Sequence, residues 1–396
     1  MRGSPERSVP VEMTEVHYAL SPDYSPANLR RALPRVLDPV FSARGGVSGK
    51  RVMIKPNLLE YRHPEDPAAV DPRMLVELCR YLRDSGASSV SVVEIPAVRT
   101  AEAVIASMGI ADELRDLGVS VSAAGSFDKA EMPSRCRYHR LELSTEYRNC
   151  DLMIDFAKAK THAMMTLTLG VKNLFGLIRG SERLSWHLAA GREFEDFADM
   201  LLDLWLLVRP QVTLLDAVVG MEGNGPGSGD PVRLGFLCAS ADALALDRSV
   251  AQKLGVTETP LFRRAAARGL PMAYADCGEV PEPRRVKLPD PPEKTLEWGV
   301  YFPVRLRRFL RGMMLTRPVL DRSKCISCGL CVSKCPPQSL KMHGKAPRFD
   351  YAGCIRCYCC QEFCPRGAIS VRPGRLTNFV RLLEKVIRRL NIRVSK

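Results

Sequence analysis

Eight cysteines near the carboxyl end constrain this chain more than any other feature. Cys325, Cys328, Cys331 and Cys335 follow the spacing C-x2-C-x2-C-x3-C with proline next, and Cys354, Cys357, Cys360 and Cys364 repeat it, again with proline after the fourth. Nine of the 14 cysteines fall between Cys325 and Cys364; the others are scattered singly, as thiols of a reducing compartment are, and a disulfide framework is not expected. Three thiols in quick succession can cap one face of an iron–sulfur cube, because the tight x2 turns also aim backbone N–H groups at its sulfides, and the fourth thiol must come from elsewhere. Zinc is the rival reading, since paired C-x2-C units make tetrahedral four-cysteine sites. Such a site needs two pairs, whereas each run here offers three close ligands and a fourth before proline, so iron–sulfur chemistry is expected. Cys359 is surplus to the pattern and reads as a packing thiol.

The double run resembles the ligand run of bacterial two-cluster ferredoxins. In those proteins the fourth cysteine of each run ligates the other cluster, so the resemblance implies two [4Fe–4S] clusters with crossed ligand sets. One set is Cys325, Cys328, Cys331 and Cys364; the other is Cys354, Cys357, Cys360 and Cys335.

With 396 residues, 46% of them hydrophobic, the chain has ample length for a large core besides this module. Over the first part, β-branched runs (Arg51–Ile54, Val90–Ile95, Val119–Ala123, Asp151–Phe156, Val212–Leu215 and Leu234–Ala239) alternate with 3.6-period segments. The clearest helices follow Asp71-Pro72, a cap and first-turn proline, and cover Phe194–Val208 and Ala241–Leu254. This rhythm predicts an α/β fold, a mainly parallel sheet with helices on both faces, followed by a small α+β bacterial ferredoxin-like domain. Prolines from Pro281 to Pro292 mark the change of composition. The expected division is an α/β domain at 1–290, a basic linker or wrapping segment at 291–320, the two-cluster domain at 321–372 and a basic amphipathic helix at 373–396.

Charge is as uneven as cysteine. Residues 300–396 hold 21 basic and 4 acidic side chains, so an acidic electron donor such as a ferredoxin or flavodoxin is the expected macromolecular partner of that end. Nucleic acid is not expected, because the last segment interleaves only Phe379 among its arginines. The stripes at Phe302–Leu315 and Leu376–Ile392 suit either packing on the protein itself, the favoured reading, or peripheral membrane contact. No signal peptide is recognisable in the first twenty residues, and Met200–Val208, the longest apolar run, is interrupted by Asp203, so a cytoplasmic location is expected.

Three segments concentrate polar residues at expected strand ends, where open α/β sheets bind ligands. Lys55 and Asn57 follow the first strand; Lys158, Lys160 and His162 follow another, with Lys172, Asn173 and Gly176 beyond; Asp216 ends a third, before a glycine-rich loop with Glu222 and Asn224. If Lys55, Lys158, Lys160 and Lys172 converge, their field suits an anionic small molecule and depresses at least one ammonium toward acid–base use, with His162 a candidate proton donor. The loop G-M-E-G-N-G-P-G-S-G-D lacks the lysine and hydroxyl ending of a phosphate loop.

These segments, K-P-N, K-x-K-T-H, V-K-N-L-F-G and D-x5-E-G-N-G-P, together resemble domain of unknown function 362, a bacterial and archaeal family whose members often carry a C-terminal two-cluster module. Many relatives place proline before the lysine pair, where this chain has Ala157. The resemblance implies a shared site built from Lys55, Asn57, Lys158, Lys160, His162, Lys172, Asn173, Asp216 and Glu222, without a settled reaction. The expected activity is therefore an iron–sulfur oxidoreductase, with Lys158, Lys160, His162 and Lys172 as candidate catalytic groups and the other residues binding the anion. The alternative is a non-catalytic electron-transfer adaptor. What separates them is the lysine cluster, which a mere carrier does not need.

Overall fold

Side-chain alternation along the strands sorts the large domain into two cores, one on each face of its sheet. The structure, a computed structural model, describes residues 13–289 and 317–372, apart from 59–60, 62–65, 97–99, 123–124, 139–140, 180–181, 184, 188–193 and 228. Both basic amphipathic stripes lie outside the described residues.

The first half contributes β1 (Thr14–Leu20), α1 (Pro26–Ser42), β2 (Arg51–Pro56), α2 (Pro72–Asp84), β3 (Ser89–Val93), α3 (Ala101–Met108), α4 (Ala111–Asp116) and β4 (Val119–Ser122). A ribbon of β5 (Phe127–Lys129) and β6 (Glu142–Ser144) precedes β7 (Leu152–His162), β8 (Thr166–Thr168) and the single turn α5 (Gly170–Asn173). Then come α6 (Phe194–Val208), β9 (Val212–Glu222), β10 (Asp230–Ser240), α7 (Ala243–Lys253), α8 (Pro260–Ala267) and β11 (Tyr274–Gly278). The sheet order is β11-β1-β10-β9-β7-β2-β3-β4, with β8 beside β7. From β9 to β4 the neighbours run parallel, while β10 is antiparallel to both β9 and β1.

Val52 and Ile54 of β2, with Leu152, Ile154 and Phe156 of β7, pack beneath α1 and α2. Met53, Met153 and Ala157 point the other way, to the core of α6, α7 and α8. Helix α2 begins as the sequence indicates, with Pro72 in its first turn and Asp71 accepting the Arg73 N–H at 3.0 Å.

The small module is an internal duplication. Strand β12 (Arg317–Leu320), α9 (Leu330–Ser333) and β13 (Leu340–His343) recur 29 positions later as β14 (Ala346–Phe349), α10 (Cys359–Glu362) and β15 (Ile369–Arg372). Strand β12 falls inside the span read as linker, and it pairs with β15, while β13 pairs with β14, so the repeats interlock. The left-handed turn positions repeat as well: Ser327 and Arg356, Gly329 and Tyr358, Gln338 and Gly367. Four of these six are not glycine. A left-handed residue with a Cβ costs about 1–2 kcal/mol, and such strain persists where the surroundings dictate the turn, here the placement of the thiols.

Candidate active site between the two domains

Lys55 ends β2 on the same face as Met53, next to Asp155 of β7. Its ammonium pairs with Glu94 Oε2 at 2.7 Å and donates to Asn173 Oδ1 at 3.0 Å; the two ionic side chains are 2% and 5% exposed. Asn173 Oδ1 also accepts from Asn57 Nδ2 at 3.0 Å, and its Nδ2 donates to Asp155 Oδ1 at 2.8 Å. Asn57 Oδ1 accepts from Lys160 Nζ at 2.7 Å, and Lys160 also reaches the Ala68 carbonyl at 2.7 Å. The result is one hydrogen-bonded row, Glu94–Lys55–Asn173–Asn57–Lys160, in which each member fixes the next. Gly176 lies against it. A Cβ there would stand 2.6 Å from Glu94 Oε1 and 2.7 Å from Lys55 Nζ, which is why this position has none.

A cavity of about 320 Å³ opens over this row, at the carboxyl ends of β2 and β7, and is closed on the far side by Lys334, Glu362 and Phe363 of the cysteine module. Lys160, Lys172 and Arg183 bring positive charge to its wall. Among the described residues the half-buried Lys172 ammonium has no ion pair or hydrogen bond; it stands 5.7 Å from the centre of the Phe175 ring. Thr168 Oγ1 and His187 Nδ1, both on cavity-lining residues, are buried without a hydrogen-bond partner among the described residues. Volume, charge and unsatisfied polar atoms together match a small anionic ligand.

Burial, with Lys172 adding to it, brings the Lys160 ammonium down to about 7. Lys172 is also lowered by burial, against the pull of Glu362. The Asp155 carboxyl is pushed up to about 7 by burial, which Lys55 opposes. His187, whose ring stacks on Phe197 at 4.8 Å, is lowered to about 4 by burial.

His162 takes a different part from the expected proton donor. Its Nδ1 accepts the N–H groups of Met164 (3.0 Å) and Met165 (3.1 Å), so the ring proton sits on Nε2, 3.2 Å from Glu362 Oε1. Burial lowers its pKa to about 3, keeping the ring neutral. Burial alone would raise Glu362, but the His162 hydrogen bond and the charge of Lys172 outweigh it and hold the carboxylate ionised. His162 is absent from the cavity wall and anchors a residue that is on it.

The four lysines do not all converge, which corrects the sequence expectation. Strand β7 runs on to His162, so Lys158, Lys160 and His162 belong to the strand and not to a loop after it. Alternation points Lys158 away from Lys55, to the face of Phe156, and an irregularity between Lys158 and Lys160 then re-aims the chain. Lys158 Nζ bonds Asp216 Oδ2 (2.7 Å) and Tyr24 Oη (2.9 Å), and Tyr24 donates to Asp216 Oδ1 (2.7 Å), beside a second cavity of about 400 Å³. Asp216 is within β9, not at its end, and Glu222, at the far tip, accepts the Lys287 N–H at 2.9 Å and lines neither cavity. Glu94, Arg183, His187 and Glu362 were not singled out in the sequence.

The glycine-rich loop between β9 and β10 is a docking ledge. Gln361 Nε2 donates to Asn224 O at 2.7 Å, Asn224 Nδ2 donates to Val371 O at 3.2 Å, and a Cβ on Gly227 would press to 3.2 Å of Gln361 O.

The cysteines gather as two sets. Cys325, Cys328, Cys331 and Cys364 surround one small hollow; burial pushes Cys331 up to about 11, and the other three thiols add to it. Cys335 lies close to Cys357 and Cys354, and Cys360 to those three and to Cys331. The second set is the more buried, at 7–8% for Cys354, Cys357 and Cys360, whereas Cys328 is exposed. Clustered thiols at strained turns are the donor set that an iron–sulfur group requires. Cys359 is fully buried and lies on the Lys172 side.

Fold and site together define an α/β protein with a ferredoxin-type iron–sulfur module closing one side of a cavity at the carboxyl ends of its strands. Residues 52–252 match the "domain of unknown function (DUF362)" family and residues 317–365 match a "4Fe-4S dicluster domain". The chain belongs to the DUF362 family. It is 32% identical over 229 residues to a "thylakoid-associated protein" of Synechocystis sp., covering 57% of this chain and 70% of that one. Among solved structures, the lactate racemase apoprotein from Thermoanaerobacterium thermosaccharolyticum is similar with a TM-score of 0.38 and 14% identity, over 64% of this chain and 60% of that one. No helix among the described residues is long and apolar enough to cross a membrane.

Proposed function

We propose that the protein is a cytoplasmic iron–sulfur reductase acting on an unsaturated carboxylic acid held in the 320 Å³ cavity. Two [4Fe–4S] clusters on the crossed cysteine sets would supply the electrons singly, drawn from an acidic carrier protein. The observation that carries the reading is the cavity's double wall: unpaired Lys172, with Lys160 and Arg183, on one side, and Glu362 and Phe363, from the segment between Cys360 and Cys364, on the other. Saturating one double bond takes two electrons and two protons. Arg183 and Lys172 would hold the carboxylate of a substrate whose negative charge grows as electrons arrive; Lys160, close to neutrality in pKa, would give one proton from Nζ, and water the second. Glu94 keeps Lys55 as a fixed post of the row.

The test is anaerobic. The reconstituted, dithionite-reduced protein is mixed with fumarate and other conjugated acids, and visible reoxidation is followed in the parent, Lys172→Met and the pair-neutralised Lys158→Met/Asp216→Asn. The reading expects reoxidation that Lys172→Met slows at least about tenfold and the double variant spares. Equal loss in both variants, or no reoxidation by any conjugated acid, would overturn it.

A further inference from the structure

The two thiol sets differ in what they face. The inner set, Cys354, Cys357, Cys360 and Cys335, is flanked by buried Tyr358 and Gln361, both packed toward the large domain, and by Lys334 on the cavity wall. The outer set has Cys328 exposed, and next to it Ile326, 58% exposed, the second most exposed large hydrophobic side chain among the described residues. Around Ile326 basic groups outnumber acidic ones, the exposed Asp321 lying beside Lys324. Lys324 and Arg366 line the outer hollow, Arg322 is exposed just before it, and the Lys345 carbonyl is bound by Ser327. Residues 317–372 hold ten basic side chains and three acidic ones, of which Glu362 is turned inward to His162.

We propose that electrons arrive at the outer set, through a surface centred on Ile326 and ringed by Arg322, Lys324, Lys345 and Arg366 that docks an acidic one-electron carrier protein, and that the inner set alone serves the cavity. An exposed apolar centre within a basic rim is what an acidic carrier recognises: the rim steers it and the centre excludes water at closest approach. Each encounter oxidises the carrier by one electron and reduces this protein by one. Two encounters supply the pair needed for one double bond. The inference rests on the reductase reading for the direction of flow only, because docking requires no substrate.

The experiment uses the full-length reconstituted protein and flavodoxin as probe. Stopped-flow reduction by flavodoxin hydroquinone gives a second-order rate constant, and calorimetry with oxidised flavodoxin gives a Kd free of any turnover. In Lys324→Glu/Ile326→Glu, and separately in Arg366→Glu, both quantities should worsen about tenfold at low ionic strength and lose much of their salt dependence, with iron content and dithionite reduction unchanged. Arg44→Glu, exposed in the turn just after α1, should leave both near the parent values. Unchanged constants in iron-replete Arg366→Glu, or an equal loss in Arg44→Glu, would overturn the proposal. Normal docking with no acid able to reoxidise the protein would leave this surface standing and remove the reductase reading instead.

Discussion

Lys55 and Glu94 are nearly inaccessible to water, and a charge kept there depends on its partner. Lys55→Met would leave the Glu94 carboxylate stranded, and about 3–5 kcal/mol of stability should be lost, read by urea unfolding; Lys55→Met/Glu94→Gln should recover most of it. A loss under about 1 kcal/mol would mean that the pair is not buried as described. Lys160 offers a pH test with a definite sign. Burial places its pKa at about 7, so it is charged below that pH, and an anion should bind with constant Kd there and weaken by up to about tenfold per pH unit above it. Fumarate titrations of Lys160→Met should lose the step near pH 7. Of these site residues the lysines and asparagines were legible, because polar groups at the end of apolar runs are conspicuous. Glu94 was not, since a single acid after a strand forms no pattern, and Arg183 sits in a stretch whose periodicity gave no reading.

At the scale of elements, the sequence marked where strands start better than where they stop. Strand β7 is buried along its whole length, so its lysines and histidine interrupt the apolar run, and by composition the run ends at Phe156 while hydrogen bonding continues to His162. Strand β9 was cut short for the same reason, at the buried Asp216. The edge formed by β1 and β11, and helices α1 and α8, went unread: α1 contains Pro34 and Pro39, which argue against a helix locally, and tertiary burial of Leu29, Leu33, Val36 and Leu37 overrides them. The glycines between β9 and β10 were noticed and rejected as a phosphate loop, and their actual reason is closeness to other backbone. A Cβ on Gly225 would stand 2.1 Å from Thr161 O, so Gly225→Ala must shift the loop that receives Gln361. Hydrogen exchange should then show about tenfold or greater loss of protection at the amides of 361–363, with the strands of the large domain unaffected. Unchanged protection there would mean that the ledge does not hold the module.

For the molecule as a whole, duplication explains the crossed thiols and underlies the proposed route across the protein. The repeats exchange strands, β12 with β15 and β13 with β14, which carries the fourth cysteine of each run to the three of the other. Cys364 joins the exposed outer set, although it belongs to the same run as the buried thiols, and Cys335 joins the inner set beside Lys334. One serine substitution in each run therefore separates the two halves of the proposed route. Cys335→Ser should damage the cluster of the second run, so that flavodoxin still reduces the protein while a conjugated acid in the cavity no longer reoxidises it. Cys364→Ser should do the opposite: slow reduction by flavodoxin, but reoxidation by the acid intact once dithionite has loaded the inner set. Electron paramagnetic resonance of each variant with a soluble paramagnetic relaxing agent identifies the damaged cluster independently of turnover, because the agent reaches an exposed centre and not a buried one. If each serine instead removes the cluster of its own run, the crossing fails, while the inward and outward ends, which rest on the exposure of Cys328 and Ile326 and the burial of Cys354, Cys357 and Cys360, stand.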